Sequence, residues 1–170
     1  MQVLVPTLSP GQIWSGPPVE ELPADAWRGD PDAVRLAEMA RKRTVAADAL
    51  VAEAERLAEA APAGQRNDRL ALLFAGMFQS VQEERGAAIE AIRRFARSQR
   101  GLMDRIDGHL AKLEAMAPDD PERQAVSDAL AWDRRVLEER RRLLPTLCES
   151  PVLLERRLGA AARALAARLE

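Results

Sequence analysis

The sequence predicts an all-α protein: an elongated antiparallel helical bundle of about four helices, one of them very long, with an extended proline-rich N-terminal arm. Three observations predict this class. The 170-residue chain is 47 % hydrophobic and 31 % charged, and Ala, Leu, Arg and Glu dominate, which is typical of long helices. Apolar residues recur at alternating spacings of three and four, the repeat of a coiled coil. Prolines fall between the periodic segments, where helices begin or end.

Residues 1–30, which we call the arm, differ in composition from the rest of the chain. Five prolines, at positions 6, 10, 17, 18 and 23, forbid a continuous helix. The arm nevertheless carries many apolar side chains, among them Val3, Leu8, Val19 and two tryptophans. An extended segment without regular structure, docked in a groove, is the expected conformation. Because the helices have their own caps and apolar seams, we expect the bundle to fold without the arm.

The first predicted helix covers residues 31–61. Asp30 followed by Pro31 is a favoured helix start, and Pro62 ends the periodic segment. Small residues at one seam position and leucines at the other predict a helix packed closely against its neighbour. This seam, with Arg43 as its one interruption, contains Leu36, Ala40, Arg43, Ala47, Leu50, Ala54, Leu57 and Ala61.

Three further helices are predicted, over residues 67–117, 121–144 and 151–169, so that residues 31–170 form one bundle. The apolar register of the longest slips near Gly86, which leaves open whether residues 67–117 form one helix or two. Pro121 and Pro151 each follow an acidic or hydroxyl residue and indicate the starts of the last two helices. Their connections are short, which favours antiparallel neighbours.

Charge and hydropathy argue against several classes of protein. A formal net charge of −2 argues against a nucleic-acid partner. No apolar run approaches the roughly 20 residues that a membrane span needs. The N-terminal segment has no cation before Arg28, which argues against a secretory signal and favours a cytoplasmic location. A single cysteine, Cys148, excludes an internal disulfide.

The sequence offers little for catalysis, so no catalytic, cofactor-binding or metal-binding residue is predicted. His109 is the only histidine, and Ile106 occupies the position where a bundle metal site would need a carboxylate. We interpret His109 as a packed or half-exposed structural residue. Gly101, Gly108 and Ala115 lie seven residues apart inside the long helix and are interpreted as a close helix contact.

Two groups of residues are candidates for binding a partner protein. Aromatic side chains dominate the energetics of interfaces, which favours the arm. Arginines at helical spacing can recognise acidic partners, although a solvated face is the alternative. Docking of the arm on its own bundle is equally open. The candidates are Ile13, Trp14, Leu22 and Trp27 in the arm, and Arg93, Arg97 and Arg100 in the long helix.

These observations predict a non-enzymatic protein–protein interaction module: a scaffold, an adaptor or an accessory subunit of a larger assembly. Its partner would be another protein of unknown identity, with a homodimer as one option. The alternative is a cytoplasmic secretion-type chaperone, of the flagellar or type III kind, that masks apolar helices of a client. An enzyme with a site in the bundle core and an amphipathic protein of lipid surfaces are the remaining, less favoured classes.

Overall fold

The computed structural model describes residues 8–170, and within this range the fold consists of helices and the turns that join them. Four α-helices are present between residues 8 and 170, with one very long helix among them, so the all-α prediction is confirmed. The arm, predicted to lack regular structure, contains two short 3₁₀ turns, Pro10–Gln12 and Ala26–Gly29. Its first seven residues, including Val3, lie outside the described range. The helices are α1 Pro31–Arg41, α2 Ala47–Glu59, α3 Arg66–Ala115 and α4 Arg123–Ala166.

The start of α1 agrees with its sequence signature. The carboxylate of Asp30 accepts hydrogen bonds from the backbone N–H groups of Asp32, at 3.0 Å, and Ala33, at 2.9 Å. These two bonds satisfy donors that a helix N-terminus otherwise leaves free. Arg69 of α3 pairs with Asp30 and, at 3.0 Å, with Asp32. The cap therefore also ties α1 to α3.

The predicted helix over residues 31–61 is wrong in one respect, because it is interrupted at residues 42–46. The half-buried guanidinium of Arg157, on α4, donates hydrogen bonds to the carbonyl oxygens of Met39, at 3.0 Å, and Val45, at 2.5 Å. These bonds satisfy carbonyl groups that the break releases from helical pairing. Arg43 and Ala47, the seam positions at the break, are exposed. The seam is therefore two short stretches, one on each of α1 and α2.

Helix α3 runs without interruption from Arg66 to Ala115, so the alternative of two helices broken near Gly86 is wrong. Gly86 is exposed, and a Cβ atom built on it would meet nothing within 4 Å. A single glycine costs a helix about 1 kcal/mol relative to alanine. That cost is too small to end a helix whose apolar residues continue on both sides.

The separate helices predicted over residues 121–144 and 151–169 are also wrong, because α4 continues through Pro145 and Pro151. A proline inside a helix removes one backbone hydrogen bond and disfavours the helical conformation of the residue before it. The burial of residues that follow Pro145 outweighs this cost, because Pro151, Leu154 and Leu158 are all fully buried. Tertiary packing has overridden the local signal.

The described residues group into two compact units, whereas the sequence analysis treated residues 31–170 as one bundle. Unit 1 contains the chain up to Ala87 and returns for Pro151–Glu170, and unit 2 is Ala88–Ser150. Both α3 and α4 contribute to each unit. The dividing points lie beside Gly86 on α3 and at Pro151 on α4, two residues of weak helical propensity.

Unit 1 has a large core built from five segments of the chain. The arm, α1, α2, the first part of α3 and the last part of α4 all contribute buried apolar side chains. Small seam residues let these helices approach closely, since Ala40, Ala54 and Ala161 have no exposed surface. The larger buried residues of this core are Trp14, Trp27, Leu36, Leu50, Leu57, Leu70, Leu73, Phe74, Met77, Leu154, Leu158 and Leu165.

Unit 2 is an antiparallel helical hairpin made of the second part of α3 and the first part of α4. Its buried apolar cluster is small and contains Leu102, Ile106 and Leu130. The side chain of Arg123 donates to the carbonyl oxygens of Leu113, at 2.7 Å, and Met116, at 3.0 Å, and so caps the end of α3. With only two helices, most of the hairpin surface faces outward.

Candidate functional site

Trp14, a predicted partner-binding residue, lies in the core of unit 1 with 6 % of its surface exposed. Its ring stacks on Phe74 of α3, with ring centroids 4.7 Å apart and planes inclined by 8°. The indole N–H donates a hydrogen bond of 2.8 Å to the carbonyl of Pro17. Gly16 leaves room for the ring, because a Cβ there would lie 2.3 Å from it. The arm is thus folded around its own tryptophan.

Trp27 is buried to the same extent, also with 6 % of its surface exposed. Its indole N–H donates to the Oε1 atom of Gln79 at 2.5 Å. The ring lies against Gly76 of α3, where a Cβ would approach it to 3.1 Å. Arg28 covers the ring from outside, with its guanidinium carbon 4.6 Å from the ring centroid. Both tryptophans are therefore held by contacts within their own unit.

The other two arm candidates, Ile13 and Leu22, are half-buried against the same core. Leu22 lines an open cleft of about 260 Å³ between the arm and α3, with Val19 and Phe78 among its apolar walls. The cleft also presents the carboxylate of Glu20 and the amide of Gln79. It is large enough for one or two apolar side chains of another molecule.

Of the two dispositions left open for the arm, the structure shows docking on its own bundle. The side-chain amide of Gln82 also holds the arm, donating to the carbonyl of Leu8 at 3.0 Å. In this arrangement Trp14 and Trp27 offer almost no surface to a partner. Their burial also runs against the expectation that the bundle folds without the arm.

The three candidate arginines belong to unit 2, and all are exposed. Arg93 pairs with Glu90 on its own helix at 2.5 Å. Within residues 8–170, Arg97 and Arg100 take part in no ion pair or side-chain hydrogen bond. The two groups of candidates therefore belong to different units.

His109 belongs to a polar cluster between α3 and α4. Arg105 donates two hydrogen bonds to the buried carboxylate of Asp133, at 2.6 and 3.1 Å, and the Nε2 atom of His109 lies 3.6 Å from it. The hydrogen bonds from Arg105 hold the pKa of Asp133 below its ordinary value of 3.8, against the opposing effect of burial. A carboxylate engaged by a guanidinium fork is a weak base. The cluster therefore acts as a structural tie across the hairpin.

Polar contacts mark one flank of the hairpin. The side chains at positions 98, 105 and 112 of α3 lie seven residues apart, and each forms a polar contact with α4 or with the residue just before α4. The buried Leu102 lies on the inner side of this row, so Gly101 and Gly108 lie on its outer side. The contacts are Arg140 to Ser98 at 2.8 Å, Arg105 to Asp133 at 2.6 Å and Lys112 to Glu122 at 3.1 Å.

The interpretation of Gly101 and Gly108 as a close helix contact is wrong within the described chain. A Cβ atom built on either glycine would meet nothing within 4 Å, and both residues are exposed. Their seven-residue spacing is real, but it falls beside the buried seam instead of within it. The backbone of α3 is consequently accessible along this flank.

A second row of apolar residues follows the same flank on α4. Trp132 is its largest member and has 63 % of its surface exposed, and Leu143 has 56 %. Val136 lies three residues after Asp133 and packs partly against the buried cluster of unit 2, so the row begins beside the flank contacts and extends outward to Trp132. We call this surface the Trp132 face; it consists of Gly101 and Gly108 on α3, and of Ala125, Ala129, Trp132, Val136 and Leu143 on α4.

The sequence analysis missed the Trp132 face, although a signal for it exists. Val126, Leu130, Leu137 and Leu144 follow the inward register of α4, and Trp132 falls outside that register. Ala125, Ala129, Trp132 and Val136 repeat the same spacing of four and three, shifted by one residue. A helix with two adjacent heptad rows is able to contact two neighbours. Unit 2 supplies only one of them.

The chain matches no protein-family model, and comparisons with curated proteins and with solved structures find no match. Two properties of the described residues bear on the class of site. Between residues 8 and 170, no helix is both long and apolar enough to cross a membrane. The same part of the chain contains no group of three or more histidine, cysteine or acidic side chains arranged to hold a metal ion.

Proposed function

We propose that this chain is a non-enzymatic protein–protein interaction module, a scaffold or accessory subunit of a cytoplasmic assembly, and that it binds through the Trp132 face. The observation that carries the proposal is the exposure of Trp132, 63 %, on a hairpin with a small core. An exposed tryptophan on a rigid helix is typical of an interface anchor. Its burial against a partner would contribute about 2 kcal/mol or more.

The surroundings of Trp132 favour a helical partner. The face repeats the heptad spacing of a coiled-coil surface over more than two turns of α4. Gly101 and Gly108 leave open space above α3, so the backbone of another helix can approach closely. Each of these glycines costs the isolated hairpin about 1 kcal/mol relative to alanine. A close partner would account for glycines that no contact in the described chain requires.

The polar cluster of unit 2 supports a non-enzymatic role. The carboxylate nearest to His109 belongs to Asp133, which is held by Arg105. A histidine acting as a general base is commonly oriented by a carboxylate or carbonyl at hydrogen-bonding distance from its ring. The distance of 3.6 Å to Asp133 exceeds that range. His109 serves better as a packed residue of the hairpin.

A secretion-type chaperone is the second candidate, and the Trp132 face also favours it. A chaperone of this kind masks an apolar helix of a client, and a heptad row beside open glycines suits such a helix. The two candidates differ in the number of partners. A chaperone should bind one client that is secreted or assembled elsewhere, whereas an accessory subunit should copurify with several proteins at fixed stoichiometry.

The proposal is tested by capture from the native organism with the full-length chain and two matched variants. Trp132→Ala removes the proposed anchor. Met103→Ala is the control, because Met103 is also exposed, at 46 %, and lies on the opposite side of the buried Leu102 from Gly101. We expect Trp132→Ala to abolish capture of the specific partner and Met103→Ala to preserve it. Equal capture by all three proteins would refute the role of the face.

A photo-crosslinking residue at Val136 sharpens this test. Val136 borders the Trp132 face and packs partly against the hairpin's own cluster of Leu102, Ile106 and Leu130, so a crosslinker there reaches another molecule only when that molecule is seated close to the face. Crosslinks to the captured partner from Val136, and none from Met103, would support the proposal. The opposite pattern would assign binding to the other side of the hairpin.

A further inference from the structure

A polar cleft of about 330 Å³ lies in unit 1, between the 3₁₀ turn Ala26–Gly29, α1 and α3. Its volume falls within the range of small-molecule sites, about 300–1,000 Å³. Ser80 lies three residues before Glu83 and four before Glu84, so all three line the cleft from one face of α3. We call this space the Ser80 cleft. Its other lining residues are Trp27, Arg28, Glu38 and Arg41.

The hydroxyl group of Ser80 is the feature that points to a ligand. Ser80 has 7 % of its surface exposed, and within residues 8–170 its side chain takes part in no hydrogen bond. A buried hydroxyl group without a partner is uncommon, because losing its hydrogen bonds to water costs free energy. The oxygen is not sealed off by protein atoms, and Ser80 borders the cleft. A molecule in the cleft is therefore the partner within its reach.

The cations that line the cleft are already paired with carboxylates of this chain. Arg41 donates two hydrogen bonds to Glu38, at 2.9 and 3.0 Å, and Lys42 lies 3.0 Å from the same carboxylate. Hydrogen bonds from Lys42 and Arg41 hold the pKa of Glu38 below its ordinary value of 4.5. Arg28 donates a hydrogen bond of 2.7 Å to Asp25. The positive charges around the cleft are thus neutralised locally.

The two carboxylates on α3 are not matched in this way. Within the described part of the chain, Glu84 takes part in no ion pair or side-chain hydrogen bond. Glu83 has one contact, with Arg28 at 4.0 Å, which is beyond hydrogen-bonding distance. Two carboxylates and a hydroxyl oxygen, all of them hydrogen-bond acceptors, therefore border one space. This combination favours a positively charged donor.

A primary ammonium group matches these acceptors. It carries one positive charge and three N–H donors, one for each acceptor. A calcium ion matches them less well, because it takes about six to eight oxygen ligands. The Trp27 side chain, which also lines the cleft, offers an apolar surface to the methylene groups of an amine.

We propose that the Ser80 cleft binds a primary alkylammonium group, with Ser80, Glu83 and Glu84 as its hydrogen-bond acceptors. Two sources carry this group: a free diamine or polyamine, and the side chain of a lysine on another protein. The cleft belongs to unit 1 and shares no residue with the Trp132 face. The inference therefore goes beyond the proposed function and stands or falls separately from it.

Titration of the full-length, ¹⁵N-labelled chain with the diamine putrescine, followed by NMR, tests the proposal. We expect the indole N–H resonance of Trp27 to move, because this side chain lines the cleft, and those of Trp14 and Trp132 to stay in place. Tetramethylammonium at matched ionic strength should move none of them, because it is a cation without an N–H donor. A Trp27 resonance that does not move up to about 10 mM putrescine would overturn the proposal.

Three variants assign the binding to individual side chains. Glu84→Gln should weaken binding of putrescine about tenfold, because it removes a charged acceptor, and Ser80→Ala should weaken it about threefold. Glu55→Gln is the control, since it removes an exposed carboxylate of α2 outside the cleft and changes the net charge equally. It should leave binding unchanged. Equal binding by the wild-type chain and all three variants would mean nonspecific attraction and would overturn the proposal.

Thermal melts followed by circular dichroism separate lost binding from lost folding. Because the Ser80 hydroxyl group has no partner in the described chain, Ser80→Ala should melt at the wild-type temperature or slightly above it. A strongly destabilised Ser80→Ala variant would give the hydroxyl group a structural role and refute its role as a ligand.

A comparison of putrescine with Nα-acetyl-lysine amide distinguishes the two sources of the ammonium group. Tighter binding of putrescine would support the proposal with a free amine as the ligand, and tighter binding of the lysine derivative would support it with a lysine of another protein.

Discussion

Replacing Trp14 with alanine should destabilise unit 1 by about 4 kcal/mol. A buried tryptophan removes roughly 200 Å² of mostly apolar surface from water, worth about 5 kcal/mol as an upper estimate. Losing the stacking on Phe74 and the hydrogen bond to the Pro17 carbonyl costs about 1 kcal/mol each, whereas partial collapse of the cavity recovers some of the loss. Measured Trp→Ala substitutions in cores fall at about 3–5 kcal/mol.

Urea denaturation followed by far-ultraviolet circular dichroism measures this change in the free energy of unfolding. Trp132→Ala is the matched control, because the same substitution at an exposed position should change stability by less than about 0.5 kcal/mol. Trp14→Phe is a second control that keeps an aromatic ring against Phe74 and loses the indole hydrogen bond. It should cost about 1–2 kcal/mol.

The reasoning would be refuted if the free energy of unfolding of Trp14→Ala were within about 1 kcal/mol of the wild-type value, because removing a large side chain from a core destabilises a protein by more than that. Deleting residues 1–30 provides an independent test of the same point. It removes Trp14, Trp27 and Val19 from the core, and the truncated chain should lose the cooperative unfolding of unit 1. A truncated chain with an unchanged melt would mean that the arm is dispensable.

Three further predictions follow from buried contacts. Ala54→Leu should lower the stability of the folded protein by about 1–3 kcal/mol, because it overpacks a site with no exposed surface. Ala47→Leu, at the exposed break between α1 and α2, should leave the thermal melt unchanged. Arg157→Met should lower the free energy of unfolding by about 2 kcal/mol in chemical denaturation, because the backbone carbonyls of Met39 and Val45 lose their donor. Asp133 contributes stability above its ordinary pKa of 3.8, and that contribution should disappear as the pH falls through its lower folded-state pKa. The Asp133→Asn variant should lack this step in denaturation measured against pH, and an unaltered profile would contradict the pairing with Arg105.

Local signals in the sequence were sufficient for the class of the fold and for the starts of some helices. Asp30 with Pro31 marked the start of α1, and the long periodic stretch of α3 was found within two residues at each end. Buried seam residues such as Leu50 and Ala54 also followed from their spacing. These features depend on residues close together in the chain, where propensity and periodicity are informative.

The errors came from contacts between distant residues. The break after α1 is stabilised by Arg157, which lies more than a hundred residues away, and the continuity of α4 through Pro151 depends on burial in unit 1. Neither can be read from a local window. The burial of Trp14 depends likewise on Phe74. The Trp132 face could have been predicted from the sequence, because its apolar row repeats the spacing of the inward row shifted by one residue.

The division of unit 1 between the two ends of the described chain has a consequence for biosynthesis. Unit 2 is contiguous, so its hairpin can close as soon as residues 88–150 have left the ribosome. Unit 1 must wait for Leu154, Leu158 and Leu165, which are translated long after α1 and α2. During that interval the apolar faces of α1, α2 and the arm remain uncovered. The nascent chain is therefore most exposed to misassembly just before translation of α4 is complete.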